Sequence, residues 1–113
     1  MHEMSLCEGI LGILEDQAAV QQYQRVKTVW LEIGVLSGVE PDAMLFSFDA
    51  VCHGTLAEGS RLEIIPVPGR AWCMACAHEV SVSERHQPCP DCGRYQLQVT
   101  AGDEMRIKEL EVA

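Results

Sequence analysis

The chain contains no long apolar run. Among its 113 residues no stretch approaches the roughly 20 apolar residues that span a bilayer. The start, Met1-His2-Glu3-Met4, lacks the basic and apolar segments of a signal peptide. We therefore predict a cytoplasmic protein that does not associate with membranes.

Positive charge is also scarce. Eight basic residues stand against seventeen acidic ones, and the formal net charge is -9. Such a charge repels a phosphate backbone. Lys27, Arg61, Arg70 and Arg85 are scattered along the sequence rather than gathered in one stripe. We predict no nucleic-acid partner.

Motifs of hydrolytic enzymes are missing as well. The sequence has no His-Glu-x-x-His pair and no nucleophile motif. Its length allows one compact domain and a small appendage. We predict a protein that is not an enzyme.

Hydrophobic periodicity predicts an α+β fold with two helices on a three-stranded sheet. Ser5-Leu6-Cys7-Glu8 has the spacing of a capping box, with Leu6, Ile10, Ile13 and Leu14 on one side of the helix that follows. In the second helix, Leu45, Phe48 and Cys52 recur at helical spacing. The predicted elements are a helix to about Gln22, a strand from Lys27 to Leu36, a helix from Pro41 to Gly54, and strands at Arg61 to Val67 and Met105 to Val112. Residues 1–67 and 102–113 would form this domain, with residues 68–101 as an inserted module.

The inserted module contains two Cys-x-x-Cys pairs, Cys73 with Cys76 and Cys89 with Cys92, separated by twelve residues. Each pair can aim two thiolates at one ion, and four thiolates form the closed tetrahedral shell typical of structural zinc. Iron and a redox dithiol remain alternatives. Because a closed shell leaves no position for water or substrate, we predict a structural zinc site.

Cys7 and Cys52 lie outside these pairs. In a reducing compartment, cysteines that are not metal ligands are more often buried thiols than disulfides. We predict that both pack in the core.

The amino terminus offers a second ligand set. The amine of Met1, the peptide nitrogens that follow and the imidazole of His2 can close fused chelate rings around one ion, and Glu3 adds a carboxylate. Planar nitrogen coordination favours nickel(II) or copper(II) over zinc. Many chains carry a histidine near the start by chance, so these residues alone leave both interpretations open.

Three further histidines have simple explanations and possible ligand roles. His78 and His86 lie inside the module and could replace a cysteine, although exposed surface histidines explain them more simply. His53 lies near the carboxyl end of the second predicted helix, where it is expected to act as a cap or a dipole partner rather than as a ligand.

Several short motifs together resemble one known family across nearly the entire chain. They are Met1-His2-Glu3, Leu31-Glu32-Ile33-Gly34, Cys52-His53-Gly54-Thr55, Glu58-Gly59, Cys89-Pro90-Asp91-Cys92-Gly93 and Gly102-Asp103-Glu104-Met105. In order and distance they resemble the hydrogenase nickel-insertion proteins of the HypA/HybF family, and the HybF-like branch in particular.

The resemblance implies a nickel metallochaperone for [NiFe]-hydrogenase maturation. Its expected partners are a nickel-handling GTPase of the HypB type and the precursor of the hydrogenase large subunit. Carried over by position, His2 is the essential nickel ligand. The Met1 amine and the backbone nitrogens of His2 and Glu3 complete the plane, and the four paired cysteines hold zinc.

The sequence leaves three points open: the role of Glu40, the oligomeric state and an alternative function. Glu40 occupies a position where some relatives have an aspartate implicated near nickel, but an acidic residue is also favoured at the start of a helix. The chain is expected to be a monomer or a weak homodimer. The alternative function is a zinc-ribbon interaction or regulatory module without nickel transfer.

Overall fold

The computed structural model describes residues 2–113. In chain order the elements are α1 (His2–Gln21), β1 (Val26–Gly34), α2 (Pro41–Cys52), β2 (Arg61–Val67), β3 (Gly69–Cys73), β4 (His78–Val82), β5 (Leu97–Ala101) and β6 (Met105–Val112). The fold is α+β, as predicted, and β2 and β6 have the predicted bounds.

Helix α1 begins at His2, ahead of Ser5, the N-cap that the sequence pattern predicts. Ser5 is an exposed residue within the helix and therefore does not cap it, so the predicted capping box is wrong. The buried residues are Cys7, Ile10 and Leu14, while Ile13 is half exposed. A spacing of three and then four residues keeps Cys7, Ile10 and Leu14 on one stripe of the helix.

Helix α2 starts where its proline predicts. Glu40 is the N-cap, and its carboxylate accepts a hydrogen bond from the N–H of Asp42 at 3.4 Å. Pro41 follows in the first turn, where a missing N–H costs no helical hydrogen bond. Met44, Phe48 and Cys52 form the buried stripe. Leu45 is 45% exposed, so its predicted place in the core is wrong.

The two helices run in the same direction. The Glu3 carboxylate accepts a hydrogen bond from the Glu40 N–H. One turn further along both helices, the Cys7 thiol lies 3.6 Å from the carbonyl oxygen of Met44. Each contact joins residues 37 positions apart. This separation stays constant along the pair only when both helices run in the same direction. Both amino termini therefore lie at the same end of the pair.

The first sheet has the order β2-β1-β6, with β1 in the centre. Strands β1 and β6 are antiparallel. Arg25 and Ala113 exchange both main-chain hydrogen bonds beside one end of β1, and the Gly34 N–H donates to the carbonyl of Glu104 at the other end. Val29, Leu31 and Ile33 are buried, as their alternation predicts. The same alternation is wrong for Val35, which is 48% exposed and lies beyond the end of β1, and for Thr28, which is buried.

The cysteine segment contains a second three-stranded sheet, which the sequence analysis did not predict. Its order is β4-β3-β5, and both neighbours pair antiparallel with β3. Cys73 ends β3 and pairs with His78 at the start of β4. The first cysteine pair therefore forms the turn between two hydrogen-bonded strands.

The chain divides into two compact units. The helical unit contains the residues up to Leu31, with Val39–Ile64 and Ile107–Ala113. The cysteine unit contains Glu32–Gly38 and Ile65–Arg106. The domain limits given by the sequence analysis stay a prediction.

Close backbone packing within the cysteine unit requires glycine at several positions, among them Gly34 and Gly102. A Cβ at Gly34 would overlap the carbonyl oxygen of Gly102. Gly102 itself has φ +87, and a Cβ there would lie 2.5 Å from the carbonyl oxygen of Pro68. The first position excludes a side chain by contact, and the second also by backbone conformation.

None of the helices within residues 2–113 combines the length and apolar character needed to cross a membrane.

Candidate metal sites

Four cysteine sulfurs converge in the cysteine unit. The Sγ atoms of Cys73, Cys76, Cys89 and Cys92 all lie within 4.8 Å of one another. The pairs Cys73–Cys92 and Cys76–Cys89 are separated by 3.7 and 3.9 Å. A disulfide would need about 2.05 Å. The cluster is therefore a set of four separate thiols.

The spacing of the sulfurs fits a tetrahedral ion. With a zinc–sulfur bond of about 2.3 Å, two ligands of a regular tetrahedron lie about 3.8 Å apart. The two measured distances, 3.7 and 3.9 Å, fall on either side of that value. The residues present therefore match a closed four-thiolate site.

The two cysteine turns have matching backbone geometry. In the first, the N–H of Ala77 donates to the carbonyl of Cys73, and in the second the N–H of Gly93 donates to the carbonyl of Cys89, both at 2.8 Å. Ala77 has φ 57 and Gly93 has φ 76. Glycine takes this left-handed conformation without steric cost, whereas alanine is strained there. Only the second turn has the residue that its geometry favours.

Each pair has a buried inner cysteine and a more accessible outer one. Cys73 and Cys89 are 0% and 2% exposed, Cys76 is half-buried and Cys92 is exposed. The buried cysteines belong to a hydrophobic cluster that also contains Leu36, Ala71, Val80 and Val82. Cys73 and Cys89 therefore lie on the buried, apolar side of the site, and Cys76 and Cys92 lie on the side that faces solvent.

Local hydrogen bonds favour thiolate character on the buried side of the site. The backbone N–H of Cys76 donates to the Cys73 sulfur at 3.3 Å and is the main cause that lowers the Cys73 pKa to about 7. The hydrogen bond with Cys92 and burial raise the Cys76 pKa to about 12. Without an ion the cluster therefore retains protons, and a cation that binds four thiolates must displace them.

The amino-terminal residues form the second candidate site. His2 is exposed at the first described position of α1. The Oε2 atom of Glu3 accepts a hydrogen bond from the backbone N–H of Glu40 at 3.2 Å. This bond is the leading cause that holds the pKa of Glu3 below its usual value. Met1, the predicted amine ligand, lies outside the described residues.

The structure therefore brings Glu3 and the start of α2 together but assigns Glu40 a structural contact. The Glu40 backbone donates to Glu3, and its carboxylate caps α2. Whether either carboxylate contacts nickel stays a prediction.

Two of the remaining histidines, His53 and His78, lie beside carboxylates. His53 caps the end of α2, as predicted, and its Nδ1 lies 3.1 Å from the Glu58 carboxylate. The Nε2 of His78 lies 3.4 Å from the carboxylate of Asp91. His86 is exposed. Within residues 2–113, the four cysteines form the one group of three or more potential ligands close enough to share an ion.

Leu36 is a contributor to the cysteine site that the sequence analysis missed. It is 3% exposed in the cluster with Cys73 and Cys89. Its carbonyl accepts a hydrogen bond from Nε of Arg85 at 2.9 Å, and its N–H donates to Gly102 at 2.7 Å. Leu36 lies 37 positions before the first cysteine, so no local pattern indicates the contact.

Comparison with known proteins identifies the family. Residues 1–112 match the family described as hydrogenase/urease nickel incorporation, metallochaperone, hypA. The chain belongs to the HypA family. The resemblance inferred from the sequence motifs is therefore confirmed.

Relatives named hydrogenase maturation factor HypA match the full length of the chain. Those from Rhodopseudomonas palustris and Alkalilimnicola ehrlichii are 63% and 62% identical over 112 residues. Each alignment covers 99% of this chain and 99% of the relative. The chain is thus a full-length match to these HypA proteins.

Solved structures support the same fold. The solution structure of the nickel metallochaperone HypA from Helicobacter pylori has a TM-score of 0.69 and 22% identity, and covers 97% of this chain and 96% of that one. A second solution structure of a HypA protein has a TM-score of 0.73 and 23% identity, and covers 100% of this chain and 97% of the other. At these identities the likeness extends to the fold alone.

Proposed function

We propose that the chain carries nickel(II) for the maturation of [NiFe]-hydrogenase. Membership of the nickel-incorporation HypA family is the observation that carries the proposal. In the proposed site, the Met1 amine, the His2 imidazole and the backbone nitrogens of His2 and Glu3 bind the ion. Glu40 remains a low-priority candidate for a further contact.

The position of His2 supports this ligand set. His2 is exposed and lies in the first turn of α1. The first four N–H groups of a helix have no acceptor within the helix. A metal can therefore take nitrogens at this end without breaking the helical hydrogen-bond ladder.

Zinc is proposed as the resident ion of the four cysteines. Cys73, Cys76, Cys89 and Cys92 would hold it in a closed shell, so it would supply folding free energy rather than catalysis. Structural zinc provides about 10 to 16 kcal/mol of apparent binding free energy in small zinc domains at neutral pH. The sheet around Cys73 and Cys89 is then expected to depend on the metal.

The proposed pathway follows from the family. Nickel would pass between this chain, a GTPase of the HypB type and the precursor of the hydrogenase large subunit, in the cytoplasm. The chain itself would act as a carrier, either as a monomer or as a weak homodimer, and not as an enzyme.

A nickel titration of untagged protein tests the main claim. We expect one nickel and one zinc per chain in the native protein, and loss of nickel with retention of zinc in His2→Ala. His86→Ala is the matched control, because it also removes an exposed imidazole but lies in the cysteine unit. Nickel affinity should rise with pH, since binding by these nitrogens releases protons.

A second variant tests the role of the amine. Two residues added before Met1 should weaken nickel binding as strongly as His2→Ala while zinc content stays unchanged. Unchanged nickel affinity in the extended protein would show that the chelate is wrong. Zinc binding with no nickel uptake in any form would instead favour an interaction module without nickel transfer.

A further inference from the structure

Three cations gather around one cleft in the helical unit. Arg25, Lys27 and Arg61 line a cavity of about 580 Å³ together with Glu58 and Glu111. The chain has only eight basic residues and a net charge of -9. A group of three cations is therefore a local exception to the charge of the chain.

This grouping corrects an expectation from the sequence. Lys27 and Arg61 were expected to be scattered, but the fold brings them to the same cleft. Lys27 lies on β1, and Arg61 begins β2, which is hydrogen-bonded to β1. Neighbouring strands place them together although 34 positions separate them in the sequence.

The cations of the cleft are more available than its carboxylates. Within residues 2–113, Arg25 and Lys27 form no side-chain ion pair. Arg61 has one contact, to Glu63 at 3.3 Å, and 73% of its side chain is exposed. An exposed pair of this kind holds its partners weakly.

Both glutamates of the cleft already have partners, and the main-chain oxygen of Ala113, which also lines it, accepts hydrogen bonds from the N–H groups of Gln24 and Arg25. Glu58 lies 3.1 Å from Nδ1 of His53, and Glu111 accepts a hydrogen bond from the Thr28 hydroxyl at 2.8 Å. Within residues 2–113, neither glutamate forms an ion pair with Arg25, Lys27 or Arg61. Carboxylates of a ligand can therefore pair with these cations.

The surroundings favour carboxylate ligands over phosphate. Phosphate sites commonly use the free N–H groups at a helix amino terminus. Here α1 ends at Gln21, four residues before Arg25, and α2 ends at Cys52, six residues before Glu58. Helix carboxyl ends present carbonyl oxygens instead. Guanidinium groups bind carboxylate and phosphate alike through two parallel hydrogen bonds, so the preference for carboxylate rests on the helix ends.

We propose that this cleft docks an acidic segment of a partner protein, whose aspartate or glutamate side chains pair with Arg25, Lys27 and Arg61. The proposal goes beyond nickel transport and does not depend on it. Because the rest of the chain is strongly acidic, an acidic partner would be repelled elsewhere and oriented toward this cleft.

Docking at the cleft would leave the proposed nickel site accessible. The site residues His2 and Glu3 lie at the beginning of α1, and the cleft follows its end. Helix α1 has 20 residues and is therefore about 30 Å long. A partner bound at the carboxyl end of α1 would leave the metal site at the amino end of α1 free to exchange nickel.

Binding of a fluorescently labelled hexaglutamate peptide tests the proposal. We expect saturable binding at low salt that weakens as salt is raised. Lys27→Gln and Arg25→Gln should each weaken it about threefold, the range for one exposed ion pair, and the double variant should weaken it further. Lys108→Gln and Arg94→Gln are matched controls, because both remove an exposed cation that does not line the cleft.

Three outcomes would overturn the proposal. Equal losses in the control variants would mean that hexaglutamate responds to net charge rather than to the cleft. Amide signals that move elsewhere in a ¹⁵N spectrum would place binding outside it. Competition by pyrophosphate or by oligothymidine that is at least as strong as that by unlabelled hexaglutamate would identify a phosphate site.

Two further measurements separate this proposal from folding and from nickel binding. Unchanged thermal unfolding of Lys27→Gln would attribute the loss of peptide binding to the missing charge. If that variant unfolds earlier, the ¹⁵N map on the native chain decides alone. Nickel uptake should be the same in native protein and Lys27→Gln, so a failure of the nickel proposal would appear only with His2→Ala.

Discussion

The Glu3 carboxylate accepts a hydrogen bond from the backbone N–H of Glu40 and so joins the first turns of two parallel helices. The bond is 3.2 Å long and lies one residue from His2. In the proposed nickel site, the backbone nitrogen of Glu3 is a ligand. One residue would then contact the metal through its main chain and α2 through its side chain.

Nickel binding is therefore expected to be visible at Glu40. A five-membered chelate ring requires an N–Cα–C–N torsion near zero, whereas a helix has ψ of about -42°. The first turn of α1 must adjust, and the Glu3 side chain should transmit the change. We expect nickel to shift the Glu40 amide signal in a ¹⁵N spectrum.

Glu3→Ala provides the test of that route. It should change the Glu40 amide signal before nickel is added and reduce its response to nickel afterwards. Glu8→Ala is the control, because it also removes an exposed carboxylate from α1 but leaves the contact with Glu40 in place. An equally large response in Glu3→Ala would show that the Glu3 side chain does not transmit the change.

The six cysteines should divide into two reactivity classes. Burial raises the pKa of Cys7 and of Cys52 to about 11, so neither forms much thiolate at neutral pH. After zinc removal by a chelator, iodoacetamide should react first within the cluster, beginning with Cys73, whose pKa is lowered to about 7, and with the exposed Cys92. Peptide mass spectrometry identifies the modified residues.

The same labelling experiment also follows the two core cysteines, Cys7 and Cys52. Cys7 and Cys52 should react only when the protein is unfolded or the pH approaches about 11. With zinc bound, all six should be protected. Rapid labelling of Cys52 in the folded chain would contradict the prediction.

The two cysteine turns should respond oppositely to exchange of glycine and alanine. Gly93→Ala places a Cβ at φ 76 and should lower the free energy of unfolding by about 1 kcal/mol. Ala77→Gly relieves the same strain at φ 57, although the more flexible unfolded chain offsets part of the gain. Denaturant unfolding of the zinc-bound protein measures both changes.

Each turn variant serves as the control for the other. Both positions lie four residues after the first cysteine of their pair and donate the same hydrogen bond. Destabilisation by Ala77→Gly as large as that by Gly93→Ala would show that backbone strain does not distinguish the turns.

Alanine substitutions at two glycines should change stability in opposite directions, because one glycine is closely packed and the other lies in an open part of a helix. Gly34→Ala places a Cβ on the carbonyl of Gly102 and should destabilise the protein by more than about 2 kcal/mol, since backbone must move. Gly12→Ala meets no atom within 4 Å and lies inside α1. It should stabilise the protein by about 0.5 to 1 kcal/mol.

Thermal unfolding with zinc bound compares these variants. A small effect of Gly34→Ala would mean that β1 can shift away from Gly102. A loss of stability in Gly12→Ala would contradict the open space around that position.

Local patterns predicted much of the fold. The alternation in β1, the proline that begins α2 and the limits of β2 and β6 all depend on neighbours in sequence. The cysteine spacing likewise predicted the cluster, because each turn is built from five consecutive residues. The family resemblance supplied the nickel interpretation, which His2 alone could not carry.

Long-range contacts account for what the sequence did not reveal. Leu36 joins the cluster of Cys73, and Lys27 lines the same cleft as Arg61, only after strands from distant segments have paired. Leu45 has the right spacing for the core, but the position of the neighbouring helix selects Met44 instead. Periodicity identifies a helix more reliably than the exact face that it buries.

Parallel helices have an electrostatic consequence for the proposed cargo. Both amino termini lie together, so the positive ends of two helix dipoles face the region of His2, Glu3 and Glu40. That potential disfavours a bare cation but favours the loss of amide protons. A nickel(II) ion bound by two deprotonated amides, an amine and an imidazole has no net charge. The helix pair would thus favour an ion that can displace the amide protons of the backbone, and disfavour cations that bind without displacing them.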